Sequence, residues 1–93
     1  MPDLEWRATA MADLLAIVDH IADENPDAAQ KLWGEIEEEV SRLPEPPKLY
    51  RQGRVTGTRE IVVRPNDVVV YAETPELVSI LRVLHAGQQW PET

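Results

Sequence analysis

The chain has 93 residues, no Cys, 43% apolar side chains and a net charge of −8. This length allows one small core, so we expect a single domain over residues 1–93. The absence of Cys excludes disulfide frameworks and thiolate metal sites, and the acidity disfavours nonspecific binding to DNA or RNA. Because the sequence has neither a membrane-length apolar run nor a signal peptide, we expect a cytoplasmic protein that does not enter a membrane.

The first part of the chain predicts a short strand and then a helix. Leu4 and Trp6 alternate with charged residues in the stretch 2–7, which is typical of an edge strand. A helix is expected from about residue 8, with Thr9 as its candidate N-cap. Apolar residues, among them Leu14 and Val18, then recur at steps of three and four and predict one apolar face.

A second helix should begin directly after the first. Asn25 is a good N-cap and Pro26 suits the first helical position. Because the connection between the two apolar stripes is so short, an antiparallel helical hairpin is expected. Trp33 falls on the second stripe, so we assign it, like Trp6, to the core. The acidic outer face of this helix is interpreted as solvated, since adjacent helical positions do not converge on a metal.

The second half of the chain predicts a three-stranded antiparallel meander. The strands are Arg59–Arg64, residues 68–73 and Leu77–His85, separated by the turn sequences Pro-Asn-Asp and Thr-Pro-Glu. The preceding stretch, residues 48–56, is expected to be irregular. The fold class is therefore α+β, with an N-terminal edge strand, a helical hairpin and a meander.

The third strand is apolar on both faces. Simple alternation places Val78, Ile80, Arg82 and Leu84 on one face and Ser79, Leu81, Val83 and His85 on the other. The helical hairpin should cover one face of the sheet. The second face then needs another cover.

Chemical groups are few, and none has the spacing of a hydrolase, a metal centre or a phosphate loop. We expect no cofactor and no metal. What remains is a group of polar side chains on or beside the meander, namely Arg59, Arg64, Tyr71, Arg82 and His85. They suit either RNA cleavage, with Arg stabilising phosphate charge and His or Tyr moving a proton, or a protein-binding surface. Arg82 also has a structural alternative, an ion pair with Asp13 or Asp19.

Several short stretches, in this order, resemble the RelE/ParE toxins of bacterial toxin–antitoxin systems. The helical hairpin is similar over residues 13–17 (DLLAI) and 25–29 (NPDAA). Residues 57–63 (GTREIVV), 70–71 (VY), 80–85 (ILRVLH) and 89–91 (QWP) resemble the ParE branch, often called plasmid stabilisation proteins. The resemblance covers nearly the whole chain.

The branch matters because the two kinds of toxin act differently. RelE-type members cleave messenger RNA on the ribosome. In them an Arg typically precedes the Val-Tyr of the central strand by two positions, and this chain has Val69 at that place. The resemblance therefore implies a ParE-type toxin that binds DNA gyrase and leaves cleaved DNA unrejoined, with no catalytic residues of its own. A ribosome-dependent endoribonuclease and a non-toxic regulatory partner of the antitoxin are the alternatives.

The resemblance also implies a cognate antitoxin that forms a hetero-oligomer with the toxin and carries the DNA-binding function. It would cover the second sheet face and the helical hairpin, and we assign to it Leu14, Val18, Arg54, Arg59 and Arg64. The basic stretch 48–64 would then suit an acidic antitoxin tail. The residues expected to contact the target are grouped around the C-terminal end, namely Arg59, Arg82, His85, Gln88, Gln89 and Trp90.

Overall fold

The computed structural model describes residues 3–43 and 51–85. In chain order the elements are β1 (Asp3–Trp6), α1 (Ala8–Ala22), α2 (Pro26–Ser41), β2 (Arg51–Gln52), β3 (Arg59–Arg64), β4 (Asp67–Glu73) and β5 (Leu77–His85). They form a two-helix hairpin packed on one five-stranded sheet of order β1-β5-β4-β3-β2. The α+β class, the hairpin and the antiparallel meander are confirmed.

Two features of the sheet, the strand β2 and the start of β4, differ from the sequence prediction. The stretch predicted as irregular contains β2, two residues that pair antiparallel with Arg59 and Glu60 of β3. The expected edge strand is present as β1, and it pairs parallel to β5. β4 begins at Asp67, one residue earlier than predicted.

Of the two N-cap residues predicted for the helices, one is confirmed and the other is wrong. Asn25 caps α2 by accepting a hydrogen bond from the Ala28 backbone N–H, and Pro26 follows at the first helical position. Thr9 does not cap α1, because the N-cap residue is Arg7 and it makes no capping hydrogen bond through its side chain. The Thr9 hydroxyl instead donates to the Leu81 carbonyl at 2.9 Å, which fastens the start of α1 to β5.

A β-bulge overturns the predicted alternation in β5. Val70 pairs with Arg82, but the next residue of β4, Tyr71, pairs with Ile80, so Leu81 is an extra residue. After it the side chains change face. Val83 joins Val78, Ile80 and Tyr71 in the core under the helices, and Leu84 lies in a separate cluster with Val68 and Val70.

The second sheet face is largely closed in the chain by itself. Val68, Val70 and Leu84 are all buried, so the expectation that this face awaits a partner is wrong at these three positions. Val62, which pairs with Val68 and so shares its face, is 47% exposed. The apolar surface that a partner could cover on this face is therefore small.

Candidate functional site

Arg59 lies in β3 opposite Tyr71 and forms an ion pair across the sheet. Its Nε donates to a carboxylate oxygen of Glu73 in β4 at 3.2 Å. Both side chains are mostly covered. The Arg59 charge is thus already balanced inside the fold, which reduces its capacity to attract an acidic ligand.

Arg51 and Arg54 converge on Glu60, a carboxylate with only 3% of its side chain exposed. Arg51 Nη2 lies 2.8 Å from one carboxylate oxygen, and Arg54 Nε lies 3.3 Å from the other. The backbone N–H of Arg54 also donates to Glu60, at 3.1 Å. A buried carboxylate needs such donors, so Glu60 holds this loop against the sheet.

The same loop encloses a polar cavity of about 380 Å³, lined by residues 52–59 and Glu73. Gly53 donates from its backbone to the Thr58 carbonyl at 2.7 Å. The Thr58 hydroxyl donates to the Val55 carbonyl, also at 2.7 Å. Gly57 has a φ of +86°, a value that favours glycine. The loop is therefore a compact turn fixed by its own hydrogen bonds.

Arg64, the last residue of β3, reaches across to the helical hairpin. Its Nε donates to Glu35 Oε1 of α2 at 3.1 Å, and Nη2 donates to the other oxygen of the same carboxylate. This two-pronged hydrogen bond lowers the pKa of Glu35 below its ordinary value and raises that of Arg64. The contact ties the far end of β3 to α2.

Arg82 forms the predicted ion pair with Asp13. Its Nε and Nη2 donate to the two Asp13 oxygens at 2.6 and 3.0 Å, and the Val83 backbone N–H donates to the same carboxylate at 3.0 Å. The side chains are only 17% and 13% exposed. Asp13 therefore neutralises Arg82 and also satisfies an N–H of β5 just beyond the bulge.

His85 ends β5 beside Asp67, the first residue of β4. Nδ1 of His85 lies 2.5 Å from Asp67 Oδ1, and Asp67 is buried. Gln88, Gln89 and Trp90, which the sequence groups with His85 as target contacts, fall outside the residues that the structure describes.

The groups considered for RNA cleavage do not face one shared site. Tyr71 is 0% exposed and belongs to the main core. Arg59, Arg64, Arg82 and His85 are each paired with a different carboxylate, on β4, α2, α1 and β4 respectively. Over residues 3–43 and 51–85, no three His, Asp or Glu side chains form a group that could hold a metal ion.

The two helix residues assigned to a partner have different environments. Leu14 is 1% exposed and packs in the core, so its side chain offers no surface to another protein. Val18 is partly buried and lines a groove on the helical hairpin. This groove, of about 530 Å³, is formed by Val18, Ala22, Pro26, Ala29, Gln30 and Trp33. We call it the hairpin groove.

Sequence reasoning assigned Val18 to a partner-binding surface but Trp33 to the core alone, so it missed the groove that the two side chains line together. Trp33 does pack on the core, yet it also lines the groove, and its Nε1 donates to Glu37 at 2.5 Å. Leu15, one turn before Val18, is 47% exposed. The width of the apolar stripe on α1 was a signal for this groove. Leu14 and Leu15 are adjacent and cannot both point into the core, so part of the stripe had to remain on the surface.

Residues 4–90 match the family described as the ParE toxin of the type II toxin–antitoxin system parDE. The chain belongs to this ParE toxin family. It is 36% identical over 88 residues to Toxin RelE2 of Caulobacter vibrioides, covering 95% of this chain and 99% of that protein. It is 35% identical over 89 residues to the Sinorhizobium fredii protein Y4kP, covering 96% and 93% of the two chains.

Solved structures agree with the family assignment. A chain of the chromosomal ParDE toxin–antitoxin system from P. aeruginosa superposes with a TM-score of 0.81 at 27% identity, covering 92% of this ParE-family chain and 97% of that one. A mutant of YafQ from E. coli has a TM-score of 0.62 at 17% identity, covering 91% and 93%. The YafQ likeness concerns the fold alone. In the part of the chain that the structure describes, no helix is long and apolar enough to cross a membrane.

Proposed function

We propose that this ParE-family toxin acts by binding DNA gyrase, so that cleaved DNA is left unrejoined, and that it does so without cleaving RNA. The main support is the internal pairing of the groups that RNA cleavage would need. Tyr71 is enclosed in the core, and Arg82 is held by Asp13. General acid–base chemistry needs a proton-transferring group within reach of the substrate, which a side chain sealed in the core does not offer.

The position that carries an Arg in RelE-type enzymes gives further support. Val69 stands there, and it is fully buried in the core between the sheet and the helices. A charged side chain at that place would have no water and would cost several kcal/mol unless it were paired, on the order of 3–5 kcal/mol. The local packing therefore suits a protein in which this position has no contact with phosphate.

Expression in a bacterial host, followed by two parallel measurements, tests the proposal. Purified chain should inhibit gyrase supercoiling and accumulate linear, cleaved plasmid, and induced cells should show the DNA-damage response. Primer extension on the same cells should find transcripts intact. Cuts at defined codon positions in ribosome-bound transcripts, with gyrase unaffected, would overturn the proposal in favour of the endoribonuclease. Normal growth with neither effect would favour a purely regulatory role.

The relative named Toxin RelE2 is the observation that keeps the endoribonuclease alternative in the experiment. A matched pair of variants makes the test sharper. Arg82→Met removes the cation that would stabilise phosphate charge, whereas Lys31→Met removes one from the exposed face of α2. Under the gyrase proposal, with Arg82 engaged by Asp13 and not by the target as the sequence analysis expected, Arg82→Met should lower toxicity only as far as it lowers the folded fraction, which circular dichroism measures.

We further propose that a cognate antitoxin neutralises the toxin in the cytoplasm and occupies the hairpin groove. The support is the apolar lining of the groove together with the half-exposed Leu15 beside it. Co-expression with the small protein encoded beside the toxin should restore growth and yield a complex that co-purifies. Val18→Glu, at the groove, should weaken that complex. Val62→Glu, an equally polar change on the sheet, should leave it intact if the groove is the main contact.

A further inference from the structure

The hairpin groove has an apolar floor and an acidic rim. Asp19 and Asp23 directly follow the lining residues Val18 and Ala22. Asp27 and Glu37 lie one helical turn from the lining residues Gln30 and Trp33, and all four carboxylates are exposed. Residues 15–37 carry six acidic side chains and one basic side chain, Lys31, a net charge of −5. Of the six, only Glu35 has an ion-pair partner among the residues that the structure describes, and that partner is Arg64. The rim therefore keeps most of its negative charge.

The basic stretch on the sheet does not keep its charge in the same way. Arg51 and Arg54 share Glu60, Arg59 pairs with Glu73, and Arg64 pairs with Glu35. Each of these four cations already has a carboxylate within 3.3 Å. Opposite charges at that distance cancel for a ligand approaching from solvent. Over residues 3–43 and 51–85, the acidic hairpin therefore contributes more unpaired charge than the basic stretch on the sheet does.

The walls of the groove also limit the conformation of an occupant. They belong to the last turns of α1 and the first turns of α2, where Asp23 and Asn25 donate to α1 carbonyls and Asn25 accepts from the Ala28 and Ala29 N–H groups, so many of the backbone groups at these helix ends already have partners. An extended peptide laid there would bury its own backbone groups without partners. A helix satisfies these groups internally and needs to offer only an apolar stripe.

We propose that the hairpin groove selects an amphipathic helix whose apolar stripe is flanked by Lys and Arg, and that this helix is a segment of the antitoxin. The identity of the occupant as antitoxin rests on the proposed function. The charge preference rests on the groove alone. It is the opposite of what the basic stretch 48–64 predicts from sequence, which is an acidic antitoxin segment.

Two synthetic helical peptides with the same apolar stripe test the charge preference. One carries Lys and the other Glu at the flanking positions, and calorimetry measures the binding of each to the full-length chain. At low ionic strength the Lys peptide should bind about tenfold more tightly, since several rim carboxylates act together. The difference should shrink to about twofold or less in about 0.5 M salt, where the Debye length is only a few ångströms. Equal binding of both peptides, or of neither, overturns the proposal.

Variants locate the effect at the groove. Asp19→Asn with Asp27→Asn should lower the affinity for the Lys peptide about fivefold to tenfold and leave that for the Glu peptide unchanged or higher. Glu76→Gln removes the same kind of charge from the β4–β5 turn and should change neither affinity. Trp33→Phe should abolish the change in tryptophan fluorescence on binding, because Trp33 lines the groove. An unchanged fluorescence response, or an equal effect of Glu76→Gln, contradicts binding at this place.

Competition with the antitoxin separates this inference from the proposed function. The Lys peptide should displace the co-purified antitoxin, and the Glu peptide should not. A chain that discriminates the peptides but leaves gyrase unaffected would overturn the gyrase proposal and keep the charge preference. A chain that inhibits gyrase but binds both peptides alike would do the reverse.

Discussion

Replacing Asp13 by Ala should destabilise the fold more than most single substitutions on the helical hairpin. The carboxylate accepts three hydrogen bonds, at 2.6 and 3.0 Å from Arg82 and at 3.0 Å from the Val83 backbone. Val83 is fully buried, so its N–H would lose its hydrogen bond in a place where water has poor access.

The expected loss is about 2–3 kcal/mol of unfolding free energy, below the 3–5 kcal/mol of a fully buried pair because both side chains retain some contact with water. Asp13→Asn keeps an acceptor for the Val83 N–H but loses the charge, so it should cost roughly half as much. Asp19→Ala, an exposed substitution in the same helix, is the control and should change stability by no more than about 0.5 kcal/mol.

Urea denaturation followed by far-ultraviolet circular dichroism measures these free energies. A double-mutant cycle with Arg82→Met isolates the ion pair, because Arg82→Met leaves the Val83 hydrogen bond in place. We expect a coupling energy of about 1–1.5 kcal/mol between positions 13 and 82. A coupling energy near zero, or an Asp13→Ala loss no larger than that of Asp19→Ala, would refute the reasoning.

Three further substitutions test other contacts. Glu35→Gln should lower stability slightly at neutral pH, because it removes the ion pair with Arg64. Arg64 holds the pKa of Glu35 below its ordinary 4.5. The stabilisation from this ion pair is therefore fully present above pH 4.5 and disappears as the pH falls through the lowered pKa. Denaturation curves of wild type and variant should therefore converge in acid, and a constant difference would contradict the ion pair. Gly53→Ala should cost about 1–3 kcal/mol, since a Cβ would lie 2.1 Å from the Thr58 hydroxyl oxygen. Gly34→Ala is its matched opposite: with nothing within 4 Å, in the middle of α2, it should add about 0.5–1 kcal/mol, as thermal melts can show.

Local sequence signals were sufficient to predict most of the secondary structure. Asn25 and Pro26 mark the start of α2 because capping and a fixed φ act within a few residues. The predicted limits of β3 and β5 agree with the structure because turn residues interrupt the chain on both sides. Two-residue β2 has no such signal, since it exists only through its pairing with β3.

The bulge at Leu81 could not be read from the sequence. A period of two places each side chain by counting from the start of the strand, and no Gly or Pro marks the position at which the count changes. The consequence is large, since Val83 and Leu84 exchange faces. A partner surface inferred from strict alternation was therefore misplaced, and the second face is closed where it was expected to be open.

The ion pairs of the candidate site were also only partly predictable from the sequence. The pairing of Arg82 with Asp13 was among the alternatives considered, because a helix packed on β5 must bring some carboxylate near it. The pairs Arg59–Glu73 and Arg64–Glu35 depend on strand register and on the height of α2 over the sheet. Neither the strand register nor the height of α2 over the sheet can be read from the local sequence. Composition alone therefore counted these arginines as available to a partner.

The distribution of these pairs decides which face of the molecule can attract an oppositely charged protein. In the sequence, positive charge is concentrated in the stretch 48–64, which suggests a basic docking surface. In the fold, Glu60 and Glu73 lie among those arginines, and Glu35 reaches them from α2. Each such pair removes a charge from the field outside the protein, whereas the carboxylates that rim the hairpin groove remain largely uncompensated within the described residues. Electrostatic steering should therefore bring a basic partner segment to the helices, where the apolar groove can retain it.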